Sequence, residues 1–183
     1  MDTAAGRLLV SVPDLGDENF DRTVVFVVDH DEDGALGLVL NRPGAARVVD
    51  HLPDLGIPVI EPAVFFSGGP VAPGAVLVLG RMTPGGPLRN AVGVRGPVVV
   101  VDVERLVEAD VDGVDGLRLF SGYSGWGPGQ LDGELAAGVW QLVDAGPDDV
   151  LCAEPGTLWR SVMRRQGGRS ASLGLFPDDP SVN

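Results

Sequence analysis

The sequence predicts an α+β fold, and three features carry that prediction. Short apolar, β-branched runs fill the first two thirds of the chain, separated by turns rich in Gly and Pro. Helical spacing with capping residues appears mainly in the last third. The regular strand–helix alternation of a parallel α/β protein is missing. The 27 Gly and 15 Pro lie scattered between the apolar runs, so they read as turn residues and not as low-complexity tracts. No internal repeat and no linker divides the 183 residues, which predicts one compact domain over 1–183. A domain of that length buries roughly 70% of its unfolded surface and needs no staples.

Taken in order, Leu8-Leu9-Val10 predicts a brief strand stopped by Pro13. Thr23 to Val28 is apolar at successive positions, the pattern of a strand buried on both faces. Asp29 to Gly34 predicts a polar loop and Leu36 to Leu40 a second strand, so the two form a hairpin. Gly37 inside that strand marks a bulge or a close backbone approach. Val48, Val49, Leu52 and Leu55 fit one face of a short helix, broken by Pro53 and ended by Gly56. Val64-Phe65-Phe66, Ala75 to Leu79 and Pro97 to Val101 read as strands, with a turn at Ser67-Gly68-Gly69-Pro70. Asp102 predicts the N-cap of a helix carrying Val103, Leu106 and Val107. Leu117 to Ser121 alternates apolar and polar residues, predicting a strand that enters a glycine-rich loop at 122–129. A helix follows from Gln130 to about Ala137 with Gly138 at its left-handed end, then a strand at Val139 to Val143. The last helix runs from about Thr157 to Gln166, with Leu158, Val162 and Met163 inward. Arg164 and Arg165 suit its negative end and Gly167 stops it.

Composition removes whole classes of function. The formal charge of −13 argues against a nucleic-acid partner, whose phosphates need clustered cations. All 13 basic residues are Arg, so a Schiff-base lysine, a pyridoxal phosphate attachment and a P-loop lysine are excluded. One cysteine, Cys152, excludes an intramolecular disulfide and reads as a small hydrophobe beside Leu151. With His30 and His51 alone it makes no zinc site of ordinary spacing, and no cofactor or metal is expected. The first residues lack the basic and apolar regions of a signal peptide, and no apolar run reaches membrane-spanning length. A cytoplasmic protein without membrane contact is expected.

The glycine-rich segment 122–129 lies between a strand and a helix start, where backbone N–H groups can cradle an anion. It matches neither G-x-G-x-x-G nor a P-loop, and a tight turn with Tyr123 and Trp126 packed inward competes with it. Ser67 and Ser124 lack the flanking glycines of a nucleophile elbow, and no catalytic residue is assigned. The acidic loop Asp29 to Asp33, and Asp14, Asp17, Glu18 and Asp21, read as solvated turns. Arg22 before one hairpin strand and Arg42 after the other stand at one end of the sheet. There they can receive a carboxylate or phosphate, or pair with neighbouring acids. The expected site is one groove uniting Arg22, Asn41 and Arg42 with Gly68, Gly69, Tyr123 and Trp126, with Gln130 facing it. His30, at the far end of the hairpin, is a lesser candidate.

Together these segments resemble the AlgH/YqgE family of bacterial proteins. The resemblance rests on Gly6-Arg7-Leu8-Leu9, then Pro13-x-Leu15-x-Asp17-x-x-Phe20-x-Arg22-Thr23-Val24-Val25. It continues through His30, Gly34-Ala35-x-Gly37-Leu38-Val39-Leu40-Asn41-Arg42-Pro43 and Gly68-Gly69-Pro70-Val71. Gly122-Tyr123-x-Gly125-Trp126-Gly127-x-Gly129-Gln130-Leu131-x-x-Glu134-Leu135 and the ending Asp179 to Asn183 complete it. Cys152 departs from a usual aromatic and Val182 from a commoner leucine. The resemblance implies a small β-barrel-like sheet flanked by helices. The family is largely uncharacterised, so three functions stand. The first is a non-enzymatic protein binding a small molecule or protein partner, with an indirect regulatory role. The second is a hydrolase-type enzyme on a small anionic or phosphorylated substrate, using Arg22, His30 and Arg42. The third, transcriptional regulation by direct DNA binding, follows a family label that the charge balance opposes.

Overall fold

Two apolar runs that the sequence cannot expose set the architecture. In a computed structural model describing residues 3–12, 21–86, 88–89, 91–108 and 111–167, strand β1 spans Arg7–Ser11 and β2 spans Val24–Asp31. Both are buried along most of their length because both faces of the sheet are covered. Val24, Phe26 and Val28 enter one core cluster and Val25 and Val27 the other. Asp14, Asp17, Glu18 and the ending Asp179 to Asn183 lie outside the described residues.

The remaining strands are β3 (Gly34–Val39), β4 (Pro43–Arg47), β5 (Val64–Ser67), β6 (Val71–Met82), β7 (Ala91–Arg95), β8 (Val98–Val101), β9 (Val114–Trp126) and β10 (Trp140–Asp144). They form a curled sheet, a half-barrel, in the order β10-β1-β2-β3-β9-β6-β8-β7. The long strand β9 is its axis. One edge of β9 pairs antiparallel with β6, and the other is shared by β5, parallel at Phe120 and Ser121, and β3, antiparallel from Ser124 to Trp126. Strand β4 hangs outside β5.

Among the described residues, four helices close the faces: α1 (Val103–Val107), α2 (Gln130–Ala136), α3 (Pro147–Val150) and α4 (Pro155–Arg165). From α4, Leu158, Trp159, Val162 and Met163 enter the cluster that runs along β1, β2 and β3. On the opposite face Leu131 of α2 packs with Trp126 and Trp140. A third cluster joins β6, β8 and β9 to Leu106 of α1.

Several expectations change. The hairpin loop is shorter than Asp29 to Gly34, because β2 continues to Asp31, which pairs with Gly34. Positions 48–55 form only a 3₁₀ turn, Val48–Asp50, since Pro53 supplies no donor to continue it. The glycine-rich segment is strand as far as Trp126, because β3 and β6 both pair with it. Strand β4 and helix α3 carry too few apolar residues for the sequence to announce them.

Candidate functional site

At the open end of the β2–β3 hairpin, Asn41 stands in for the missing ladder. Its Oδ1 accepts from the Val24 N–H at 3.1 Å, and its Nδ2 donates to the Arg22 carbonyl at 2.7 Å. This clamp holds Arg22 at φ 48°, the left-handed region a non-glycine residue seldom adopts. The Arg22 guanidinium lies over the Trp159 ring, 5.6 Å from its centroid. Arg42 Nη2 donates to the Asp21 carbonyl at 2.9 Å and the Thr23 hydroxyl at 3.3 Å. Asp21, Arg22, Asn41 and Arg42 border a polar cavity of about 350 Å³, closed by Gly156, Trp159 and Arg160 of α4.

The expected groove does not form as one site. Trp126 pairs with Ala35, near the closed end of the hairpin, and Asn41 lies six positions further along. At about 3.3 Å per strand residue that is roughly 20 Å. Trp126 is buried instead against Val25 and Val27. Its indole N–H donates to Glu134 Oε2 at 2.8 Å, as does that of Trp140, and the two rings meet edge to face at 6.3 Å. Gln130 joins the same network: its Nε2 donates to Glu134 Oε1 at 2.9 Å and its Oε1 accepts from Gly127 N at 3.1 Å. Gly68 and Gly69 pass against the backbone of Gly122 and Tyr123, so their glycines serve a strand crossing. Tyr123 is half-buried against the main core. His30 is buried; its Nδ1 accepts from Ala4 N at 3.1 Å, its carbonyl accepts from Thr3 at 3.0 Å, and Nε2 stands 3.7 Å from Asp132. It fastens the start of the chain to β2.

A larger cavity was not foreseen. An apolar cleft of about 690 Å³ opens between β4, β5 and the first residues of β6. Gly44, Ala45 and Ala46 of β4 are too small to fill it, and Leu52, Phe65, Phe66, Val76 and Val103 make its walls. Its polar lining is sparse: His51, edge-on to Phe65 at 5.6 Å, and the hydroxyls of Ser67 and Ser121. The Ser121 hydroxyl donates to the Pro73 carbonyl, leaving Ser67 and His51 as exposed polar groups. Gly69 is the one residue of the expected groove that lines it.

Against Phe66 lies Arg118, fully buried, its guanidinium 4.4 Å from the ring centroid. Nη1 donates to the Cys152 carbonyl at 2.8 Å and Nη2 to the Glu61 carbonyl at 2.9 Å, while Nε has no hydrogen-bond partner. Burial pushes its pKa down to about 10, against a smaller opposing pull from Cys152. Among the described residues no group of three His, Cys, Asp or Glu is placed to hold a metal ion. No described helix is long and apolar enough to cross a membrane.

The AlgH-like family model matches residues 8–171. The chain belongs to the AlgH-like family. A UPF0301 protein of Streptomyces coelicolor is 47% identical to it, over 97% of this chain and 94% of that protein. A UPF0301 protein of Thermobifida fusca is 41% identical over the same shares. A crystal structure of a Corynebacterium diphtheriae protein superimposes with TM-score 0.87 at 29% identity, covering 96% of this chain and 94% of that one. The solution structure of AlgH from Pseudomonas aeruginosa gives 0.68 at 26% identity, covering 94% of each chain. In this AlgH-like chain the longest motif, Gly122 to Leu135, builds the strand, the indole–carboxylate network and the α2 start described above.

Proposed function

We propose that this AlgH-like protein is a non-enzymatic cytosolic binding protein whose apolar cleft takes a small, largely apolar ligand. The occupied cleft would act on regulation indirectly, through what the β4 edge then presents to a protein partner. The observation that carries the reading is the cleft itself. Its 690 Å³ falls within the roughly 300–1,000 Å³ of small-molecule sites, and its walls have their usual make-up of apolar side chains and a few polar groups. The Ser67 hydroxyl and the His51 imidazole are the groups that would orient a ligand. Direct DNA binding is disfavoured by the charge of −13.

A thermal-shift screen of small amphipathic compounds tests this, run on the native chain and on Ala46→Trp, which fills the cleft from an exposed β4 position. A ligand at about 100 times its Kd adds about 2.7 kcal/mol, which for a chain this long raises Tm by roughly 5–10 °C. Such shifts should appear in the native chain and vanish in the folded Trp variant. Hits that survive Ala46→Trp undiminished would overturn the cleft as the site.

A further inference from the structure

We propose that the apolar cleft selects uncharged ligands, each with an apolar body that lies along Phe65 and a hydroxyl or carbonyl end group that the Ser67 hydroxyl holds. The inference rests on the cleft being the ligand site, and it names the class of molecule that the site takes.

The cleft lies on one face of the sheet. Phe65 and Ser67 are two positions apart on β5, so their side chains leave the same face, roughly 7 Å apart. Phe65 packs with the cluster of β6, β8 and β9, whereas the buried Arg118 guanidinium lies on the opposite face beside Phe66. Ser67 is in register with Ser121 of β9. Of these two neighbouring hydroxyls one is spent: Ser121 donates to the Pro73 carbonyl, whereas the exposed Ser67 hydroxyl bonds no described residue. The exposed His51 imidazole has no hydrogen-bond partner either, and it meets the Phe65 ring edge-on at 5.6 Å. Both unspent polar groups therefore adjoin that ring. Three consecutive residues of β4, Gly44, Ala45 and Ala46, also line the cleft. Successive strand side chains face opposite ways, so β4 borders it partly with main chain, which offers neutral donors and acceptors.

What the lining lacks selects the class of ligand. None of the described residues that line the cleft is an Arg, Asp or Glu, in a chain with 13 arginines and 26 acids. The acids next to it in sequence, Asp50 before His51 and Asp102 before Val103, are exposed, and Asp102 is engaged in capping α1. A charged end group entering the cleft gives up water and meets no counter-charge, which is costly for a carboxylate and an ammonium alike. An anion also meets the field of a −13 chain. A hydroxyl or carbonyl gives up far less, and the Ser67 hydroxyl, both donor and acceptor, replaces the water it loses.

The test is an NMR titration of the full-length ¹⁵N-labelled chain with three probes of equal chain length. At about pH 8 octanol is neutral, octanoate anionic and octylammonium cationic. Octanol should give saturable shifts at Gly44, Ala45, Ser67 and Gly74, with Kd of about 1 mM or tighter. Both ions should bind about tenfold more weakly or worse. Ser67→Ala should weaken octanol about fivefold, the worth of one neutral hydrogen bond, and leave the ions unchanged. Ser67→Thr keeps a hydroxyl and should recover most of that loss. Octanoate or octylammonium binding within about threefold of octanol would overturn the selection against charge. Equal octanol affinity in Ser67→Ala would overturn the role of Ser67. In either case, shifts that vanish in Ala46→Trp keep the cleft as the ligand site, so the inference fails alone. Octanol shifts absent from the native chain would overturn the inference, and shifts that survive Ala46→Trp would overturn the cleft with it.

Discussion

Replacing Glu134 should unravel the packing of α2 on the sheet in two measurable steps. Its Oε2 accepts both indole N–H groups at 2.8 Å, and its Oε1 accepts from Gln130 at 2.9 Å. In Glu134→Gln the amide oxygen must take the Oε2 place to keep both indoles. Its NH₂ then faces the Gln130 NH₂. Turning the Gln130 amide over only moves the conflict, because its oxygen is already accepting from Gly127 N. One donor–donor clash remains in either arrangement, a loss of about 1–2 kcal/mol. Glu134→Leu removes the acceptor of both indoles, whose side chains are 8% and 5% exposed. At about 1–3 kcal/mol per stranded donor, the loss is about 2–6 kcal/mol, a large share of the roughly 5–15 kcal/mol that holds a domain together. Urea unfolding followed by far-UV circular dichroism measures both steps without relying on the perturbed tryptophans, and the m-value should hold. Fluorescence should shift red in the Leu variant, with Trp159, bonded to the Ser11 carbonyl at 3.0 Å, as the unaffected background. If both variants fall within about 0.5 kcal/mol of the native chain, the network is incidental and the account of this motif is wrong.

What the sequence revealed was local. Asp102 caps α1, its carboxylate accepting from Glu104 N at 2.8 Å, and Gly138 and Gly167 both end helices at φ 73°. The hairpin was legible because antiparallel pairing forces its open ends together, which brought Arg22, Asn41 and Arg42 into one place. Long-range packing was not legible. Trp159 and Arg160 reach Arg22 only because α4 crosses the same face of the sheet, and no periodicity reports that. Strand β4 reads Pro-Gly-Ala-Ala-Arg with all five residues exposed; its pairing with β5 creates it. The Gly-rich motif left two readings open for a related reason. Glycines where backbones cross and glycines beside a ligand look identical in sequence, and only the neighbour distinguishes them. For Trp126 a signal did exist: Gln130 and Glu134 stand four apart on one helix face just after it, the spacing that lets both polar groups reach back to the strand.

Two further outcomes test the strand crossing and the buried charge. Gly69 sits at φ 152°, and a Cβ there would lie 2.3 Å from the Tyr123 carbonyl carbon and 2.4 Å from Ser124 N. Backbone faces backbone, so Gly69→Ala should cost more than about 3 kcal/mol in urea unfolding, whereas Gly56→Ala, with open space around it, should stay within about 0.5 kcal/mol. Arg118 offers the sharper test, because its pKa falls from the ordinary guanidinium value in the unfolded chain to about 10 when burial strips its water. At neutral pH both states hold the proton, and that depression is a cost of about 3 kcal/mol to the native state. Above about pH 10, and up to the ordinary guanidinium pKa, the unfolded chain keeps the proton that the native one has released, so stability rises with pH across that window. In Arg118→Met this rise disappears. The carbonyls of Glu61 and Cys152 lose their donors at about 1–3 kcal/mol each, and the contact with Phe66 goes, so the variant is less stable at pH 7 despite losing a buried charge. With Cys152 kept reduced, the gap between native and variant should widen by about 1 kcal/mol from pH 9 to pH 11, a difference in which the titrating groups not coupled to Arg118 cancel. Two curves that run parallel over that range would mean that Arg118 keeps an ordinary guanidinium and that water reaches it.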